Sequence, residues 1–242
     1  MSQEDDARSA SGDPILRHDR ATTRSAPPPT TQHTELIAEH VSSHLGEITP
    51  VFHEMVSDLI HLDINIIQPS PSRPYYTLVT SGMSDRPMRP PKGSPLLTRA
   101  ELTLCLPPEW QMSQEAFKDE RNYWPLRLLK DLARLPHQYK TWLWEGHTIP
   151  NDDPPRAYSK DTRLCCALLW RPQLAPHGFF QLDAGPGKAI HFFAVIPLYR
   201  EEMDYKLTKG YEPLAELFKA NSVTELLSLR RVNVCQRSLF GR

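Results

Sequence analysis

The chain has 242 residues, of which 39 % are apolar and 24 are proline, and its 28 Lys and Arg against 29 Asp and Glu leave a formal net charge of -1. That balance excludes a generic nucleic-acid or anionic-membrane binder, which needs a basic excess, and no run approaches the roughly 18 apolar residues of a membrane-spanning helix. Glu4, Asp5 and Asp6 stand where a basic-then-apolar leader would be, so a soluble, cytoplasmic protein is expected.

Residues 1–33 carry Arg, Ser, Asp, Thr and the run Pro27-Pro28-Pro29, with Ile15 and Leu16 as the large aliphatics. That is too little apolar area to offset the entropy of ordering, so a disordered tail is expected, followed by one domain over 34–242. From Thr34 onward, Ile37, Val41, Leu45, Ile48, Phe52, Met55 and Leu59 recur at steps of three and four, the period of one helix face. Pro50 implies either a kink or a second helix capped by Thr49. Residues 63–67 and 75–80 are β-branched or aromatic and read as paired strands. A loop rich in Gly, Pro and Met over 81–98 follows. Leu102, Leu104 and Leu106 then alternate with Glu101, Thr103 and Cys105, a strand with one face in the core.

Trp124, Leu128, Leu132 and Leu135 line one side of a helix that Pro136 is expected to stop. Residues 165–170 and 190–196 are nearly all apolar, as in central strands covered on both faces. Ser222-Val223-Thr224-Glu225 has the form of a capping box leading into a helix at Leu226 and Leu227. The sum is an α/β fold, a single domain with a mixed β-sheet packed against helices.

Candidate chemistry is sparse. His40 and His44 stand four apart on the first helix, a spacing that lets two imidazoles share a metal, but Val41 follows where a zinc protease carries its glutamate. A metal-dependent hydrolase built on His40, His44, His53 and Glu54 is the alternative to an edge-packed or solvated helix face, on which His53-Glu54, Asp58 and His61 also read as polar positions. Gly185-Pro186-Gly187-Lys188 lacks the spacing and the following helix of a phosphate loop and reads as a hairpin turn. Ser81-Gly82-Met83-Ser84 falls short of a nucleophile elbow. Arg73, Arg86, Arg89 and Lys92 read as solvated loop charge.

The cysteines Cys105, Cys165, Cys166 and Cys235 show no C-x-x-C spacing. They read as buried reduced thiols, with Cys165 and Cys166 on opposite strand faces. More informative is the stretch from Trp142, Leu143 and Trp144 through Glu145, Gly146 and His147 to Asn151, Asp152 and Asp153, where aromatics run into an acidic loop. Aromatic anchors beside charges are typical of protein interfaces. The alternative is a strand with inward tryptophans followed by an acidic turn.

The strings Arg73-Pro74-Tyr75-Tyr76-Thr77-Leu78-Val79-Thr80-Ser81-Gly82-Met83-Ser84-Asp85 and Ala100-Glu101-Leu102-Thr103-Leu104-Cys105-Leu106-Pro107 resemble the Suppressor of fused family. The strings Gly146-His147-Thr148-Ile149-Pro150 and Phe193-Ala194-Val195-Ile196-Pro197-Leu198-Tyr199-Arg200-Glu201-Glu202-Met203 resemble its bacterial branch. The resemblance implies an α/β domain without a catalytic centre or cofactor. The family's animal member holds an extended peptide of Gli transcription factors between such a domain and a second, C-terminal one. This sequence stops at Arg242, so that clamp is not expected here. Bacterial relatives are proposed to be immunity proteins that neutralise toxins. The animal protein's Gly-Asp-His loop corresponds to Glu145-Gly146-His147, so His147 alone carries over.

The resulting expectation is a non-enzymatic module that binds a protein partner, a toxin or a regulatory protein, and neither nucleic acid nor membrane. The expected contacts are Trp144, Glu145, His147, Asp152 and Asp153, with Tyr76 on an exposed strand edge over 75–80.

Overall fold

The computed structural model describes residues 7–18, 33–53 and 60–236. Within these, the chain forms α1 (Thr34–Leu45), β1 (Ile48–His53), β2 (Asp63–Ile67), β3 (Tyr76–Ser81), β4 (Ala100–Leu106), α2 (Glu120–Tyr139), β5 (Thr148–Pro150), β6 (Cys166–Trp170), β7 (Gln181–Asp183), β8 (Ala189–Leu198), α3 (Arg200–Lys209) and α4 (Tyr211–Ala220). The strands make one mixed sheet in the order β1-β2-β3-β4-β8-β6-β5, with β7 paired to the start of β8. Every pairing is antiparallel except β4 with β8, where Ala100 meets His191.

Alternation along the strands divides the core. Leu102, Leu104, Phe193, Val195, Ala167 and Leu169 point to the face covered by α2 and join Trp124, Leu128 and Leu132 in one cluster. On the opposite face, Ile190 and Phe192 pack with Ile37 and Val41 of α1. Further along that face, Leu168, Trp170, Ile196 and Leu198 pack with Leu214 and Phe218 of α4. None of the described helices is long and apolar enough to cross a membrane.

Several expectations are corrected. The helical period after Leu45 does not continue: Gly46 ends α1 at φ 103, and residues 48–53 form a strand paired with β2, so His53 stands opposite Asp63. The register shifts between Ile48 and Val51, around Pro50, which has no N–H to give a ladder. Met55 and Leu59, like Glu54 and Asp58, lie outside the described residues. β4 is buried along its whole length, on both faces, because β3 and β8 flank it between two helical layers. β3 is likewise interior, paired with β2 and β4, and is no exposed edge.

α2 runs through Pro136 to Tyr139. The lost hydrogen bond is tolerated where the ring is buried, and His137 Nε2 lies 3.0 Å from the Met83 carbonyl oxygen, tying down the extra turn. Residues 222–225 start no helix. The Glu225 carboxylate instead accepts from the Gln173 and Leu174 amides, and Leu226 bridges to Cys105. The C-terminal helices are α3 and α4, which the sequence reading does not anticipate.

Cys165 precedes β6, so it does not alternate with Cys166; their sulfurs lie 3.8 Å apart in one apolar cluster. All four cysteines are free thiols. Gly185–Lys188 is the β7–β8 hairpin turn, closed by Ala184 N–H to Lys188 O at 2.8 Å. Of the stretch expected to be a disordered tail, residues 1–6 and 19–32 lie outside the described residues; residues 7–18 form a small turn against α3.

Two buried carboxylates pin loops to this frame. Glu202 is fully buried at the start of α3 and takes Arg231 in a two-pronged pair, Nη1 and Nη2 each at 2.6 Å, which fastens the C-terminal segment. Glu101 on β4 is also fully buried and answers four donors: Thr80 Oγ1 at 2.6 Å, Gly82 N at 3.0 Å, Ser84 N at 2.9 Å and Ser84 Oγ at 2.7 Å. Gly82 sits at φ 114, and a side chain there would collide with the His61 carbonyl oxygen.

Burial raises the Glu101 carboxyl to about 6 despite its donors. The folded state therefore holds a proton that the unfolded chain releases near the ordinary value, and this group's contribution to stability falls as pH rises from 4.5 through 6. The fall is about 2 kcal/mol at 1.36 kcal/mol per pKa unit. Urea unfolding of wild type and Glu101→Gln at pH 4 and pH 7 checks this: wild type is expected to lose about 2 kcal/mol relative to the variant across that interval. A pH-independent difference contradicts the assignment.

Candidate functional site

The aromatic–acidic stretch leaves α2 at its C-terminal cap and enters β5. Leu143 is buried and Trp144 is half-buried, its ring edge-on to His191 and Phe193 with centroids 4.8 Å from each. Trp142 is edge-on to His147 at 5.3 Å. The tryptophans are therefore anchored in the core cluster under α2 with part of each ring at the surface, on a loop and not on a strand.

Glu145 is already engaged. Arg171 Nε lies 2.9 Å from its Oε2, and the Tyr211 hydroxyl donates to Oε1 at 2.9 Å. Burial, with the Glu145 charge added, pushes the Tyr211 hydroxyl well above its ordinary pKa, so it stays a neutral donor. Gly146 sits at φ 81, gives its N–H to Leu169 O at 2.8 Å and lies flat against the Tyr211 ring. His147 is held neutral: burial first, then the nearby Lys206 charge, lowers its pKa to about 4.

Among the described residues β5 is one of the two ends of the sheet, paired to β6 on one side. The His147 carbonyl accepts from Leu169 N–H at 3.0 Å, so the alternation of an antiparallel ladder turns the Thr148 N–H and C=O outward. After β5, Asp152 and Asp153 are exposed on a turn; Asp152 pairs with Arg156 at 3.2 Å, and Asp153 N–H donates to Asp152 Oδ1.

Trp144, Glu145, His147, Asp152 and Asp153 thus share one end of the sheet. Tyr76 does not join them, since β4, β8 and β6 stand between β3 and β5. Residues missed in the sequence complete the face. Arg171 lies over the Phe180 ring at 4.5 Å, and the buried His191 sits between Trp144 and Phe180. Arg171 and Tyr211 are scattered in the sequence and carry no motif; the fold alone gathers them.

The histidine pair serves packing. His40 Nε2 lies 3.0 Å from the Phe179 carbonyl oxygen, its ring stacked on Phe179 and Phe192, and His44 Nδ1 turns to the His40 carbonyl oxygen at 2.9 Å. Burial lowers the His40 pKa. The side chain of His53 lies outside the described residues. Among the described residues no three His, Cys, Asp or Glu side chains gather to hold a metal.

Comparison with known proteins places the fold and the family. The family described as Suppressor of fused protein (SUFU) matches residues 58–232. No curated protein matches the chain. Among solved structures, a Suppressor of fused homolog from Neisseria gonorrhoeae superposes with TM-score 0.62 at 15 % identity, covering 86 % of this chain and 100 % of the other. A chain of the Sufu-Fu complex superposes with TM-score 0.58 at 14 % identity, covering 89 % and 100 %. At such identity the likeness speaks to the fold.

The contact between Gly146 and Tyr211 is testable against a second glycine. Gly146 and Gly187 have similar positive φ, 81 and 70, but a Cβ at 146 would stand 3.2 Å from Tyr211 Cγ while one at 187 meets nothing. Gly187→Ala is expected to cost about 1 kcal/mol and Gly146→Ala about 2–3 kcal/mol, read by urea unfolding. Equal costs would show that backbone conformation alone keeps Gly146.

Proposed function

Because the chain belongs to the Suppressor of fused family, we propose that it is a non-enzymatic, cytoplasmic module that captures a protein partner along the open edge of β5. The observation that carries the reading is the outward Thr148 N–H and C=O on a strand without an outer neighbour among the described residues, flanked by half-buried Trp144 and by Arg171 over Phe180. An extended partner segment adds to such an edge through its backbone and gains specificity from the side chains beside it. Trp144 and His147 supply fixed, uncharged surface that loses little entropy on contact, as interface anchors do.

The exposed Asp152 and Asp153 form the rim, where charge steers approach more than it holds. Tyr76 has no part in this surface. The partner is a toxin neutralised by the module or a regulatory protein sequestered by it, and the name of the Sufu-Fu complex shows a related fold in a protein assembly.

Affinity capture from the native cell with wild type, Thr148→Pro and Arg171→Glu tests the reading. Proline removes the outward donor without touching the β5–β6 ladder. A stoichiometric partner is expected with wild type and at least ten-fold less with either variant, the melting temperatures staying within about 2 °C. A partner retained equally by both variants moves the interface elsewhere, and no stoichiometric partner under any growth condition overturns the module. Rescue of a cell from the captured protein's toxicity identifies immunity; its absence identifies regulation.

A further inference from the structure

Residues 7–15 fold back on themselves, Ser9 N–H reaching Asp13 O at 2.9 Å and Ile15 N–H reaching Ala7 O at 2.7 Å. The tip donates Ser11 N–H to Leu207 O at 3.0 Å, at the C-terminal end of α3. Further on, the His18 ring stacks on Tyr139, the last residue of α2, at 5.2 Å. The segment therefore spans from the end of α3 to the end of α2, the helix from which the Trp142–Trp144 loop departs.

Its charge contact is the telling one. Lys206 Nζ lies 3.6 Å from Asp13 Oδ2, with the lysine side chain 9 % exposed, and Asp13 is the carboxylate paired with it among the described residues. An ammonium so enclosed needs a counter-charge, and here it comes from outside the folded core. The same Lys206 charge bears on His147. Ser11 also approaches Gly210, whose neighbour Tyr211 holds Glu145 and lies against Gly146. Two anchors of the segment thus stand beside the candidate face: Gly210 through its neighbour Tyr211, and Lys206 through His147. The segment itself is polar, and its Leu16 is 46 % exposed, the profile of an element that opens easily.

We propose that residues 7–18 are a built-in occupant of the partner face: Asp13 fills, in cis, the Lys206 site that an acidic side chain of an extended partner segment takes in the complex. A tethered occupant lowers the apparent affinity for every partner by the fraction of time it is docked, and admits those that bring their own carboxylate.

Amide NMR on the full-length protein tests this. In Asp13→Asn, exchange of the Ser11 amide is expected to speed up at least ten-fold while the amides of β8 are unchanged. A synthetic peptide of residues 7–18, titrated into that variant, is expected to shift Lys206, Leu207 and Gly210 together with residues 145–147, saturably. The same peptide carrying Asn for Asp13 is expected to bind at least five-fold more weakly. Unchanged Ser11 exchange, no saturation, equal binding of the two peptides, or shifts confined to α3 would each overturn the proposal. The inference rests on the protein-binding reading of the face, yet the titration needs no partner, so a failed capture and a failed strap are read separately.

Discussion

A carboxylate removed from water must be answered by donors, and the reply to Glu101 organises the middle of this molecule. Four donors from one short stretch, Thr80 to Ser84, converge on it. The end of β3 and the turn after it are thereby bolted to the strand at the sheet's centre. The turn can come that close because Gly82 brings no side chain against the His61 carbonyl, and its placement lets Met83 reach the core and its carbonyl meet His137. Lining this point with apolar groups would leave the Gly82 and Ser84 amides unsatisfied. Glu202 does comparable work at the other end, but with a guanidinium: its partner arrives already charged, whereas Glu101 meets neutral groups, which is why burial still wins over its acidity.

The strands around that point were legible because their signals are local. β2 and β6 lie within the runs expected to be strands, and β3, β4 and β8 overlap theirs with ends that differ by one or two residues, since β-branched and aromatic residues packed on a pleat need no distant information. The errors have equally specific causes. The apolar steps from Ile37 through Phe52 keep a helical phase by coincidence, and Gly46 and Pro50, both visible, outweigh that phase once β2 offers a neighbour. Alternation in β4 suggested one wet face because Glu101, Thr103 and Cys105 look like surface; they are buried, Glu101 under the turn after β3 and Cys105 against the bridge from Leu226. Glu225 matches a capping box in letters, but its carboxylate serves two amides about fifty residues away in sequence.

The candidate face divides in the same way. The aromatic–acidic stretch announced itself by composition, and its residues do gather at one end of the sheet. What composition cannot reveal is which charges are already spoken for: Glu145 looked like a free acid and is held between Arg171 and Tyr211. Nor could strand pattern tell an edge from an interior: Tyr76 lies inside the sheet, whose order among the described residues ends in β1 and β5. Edge status follows from strand order, a property of the whole sheet.

The parallel pairing of β4 with β8 has a consequence for how the chain reaches this state. β1 to β4 can assemble as neighbouring antiparallel strands, and β5 to β8 likewise, but the seam joins residue 100 to residue 191. Closing so distant a contact is entropically slow. A ribosome emitting the chain from its N-terminus releases β4 well before the strand that covers it. During synthesis the protein therefore carries a temporary sticky border, made of the very apolar strand that later becomes its centre, and nascent-chain chaperones would meet it there.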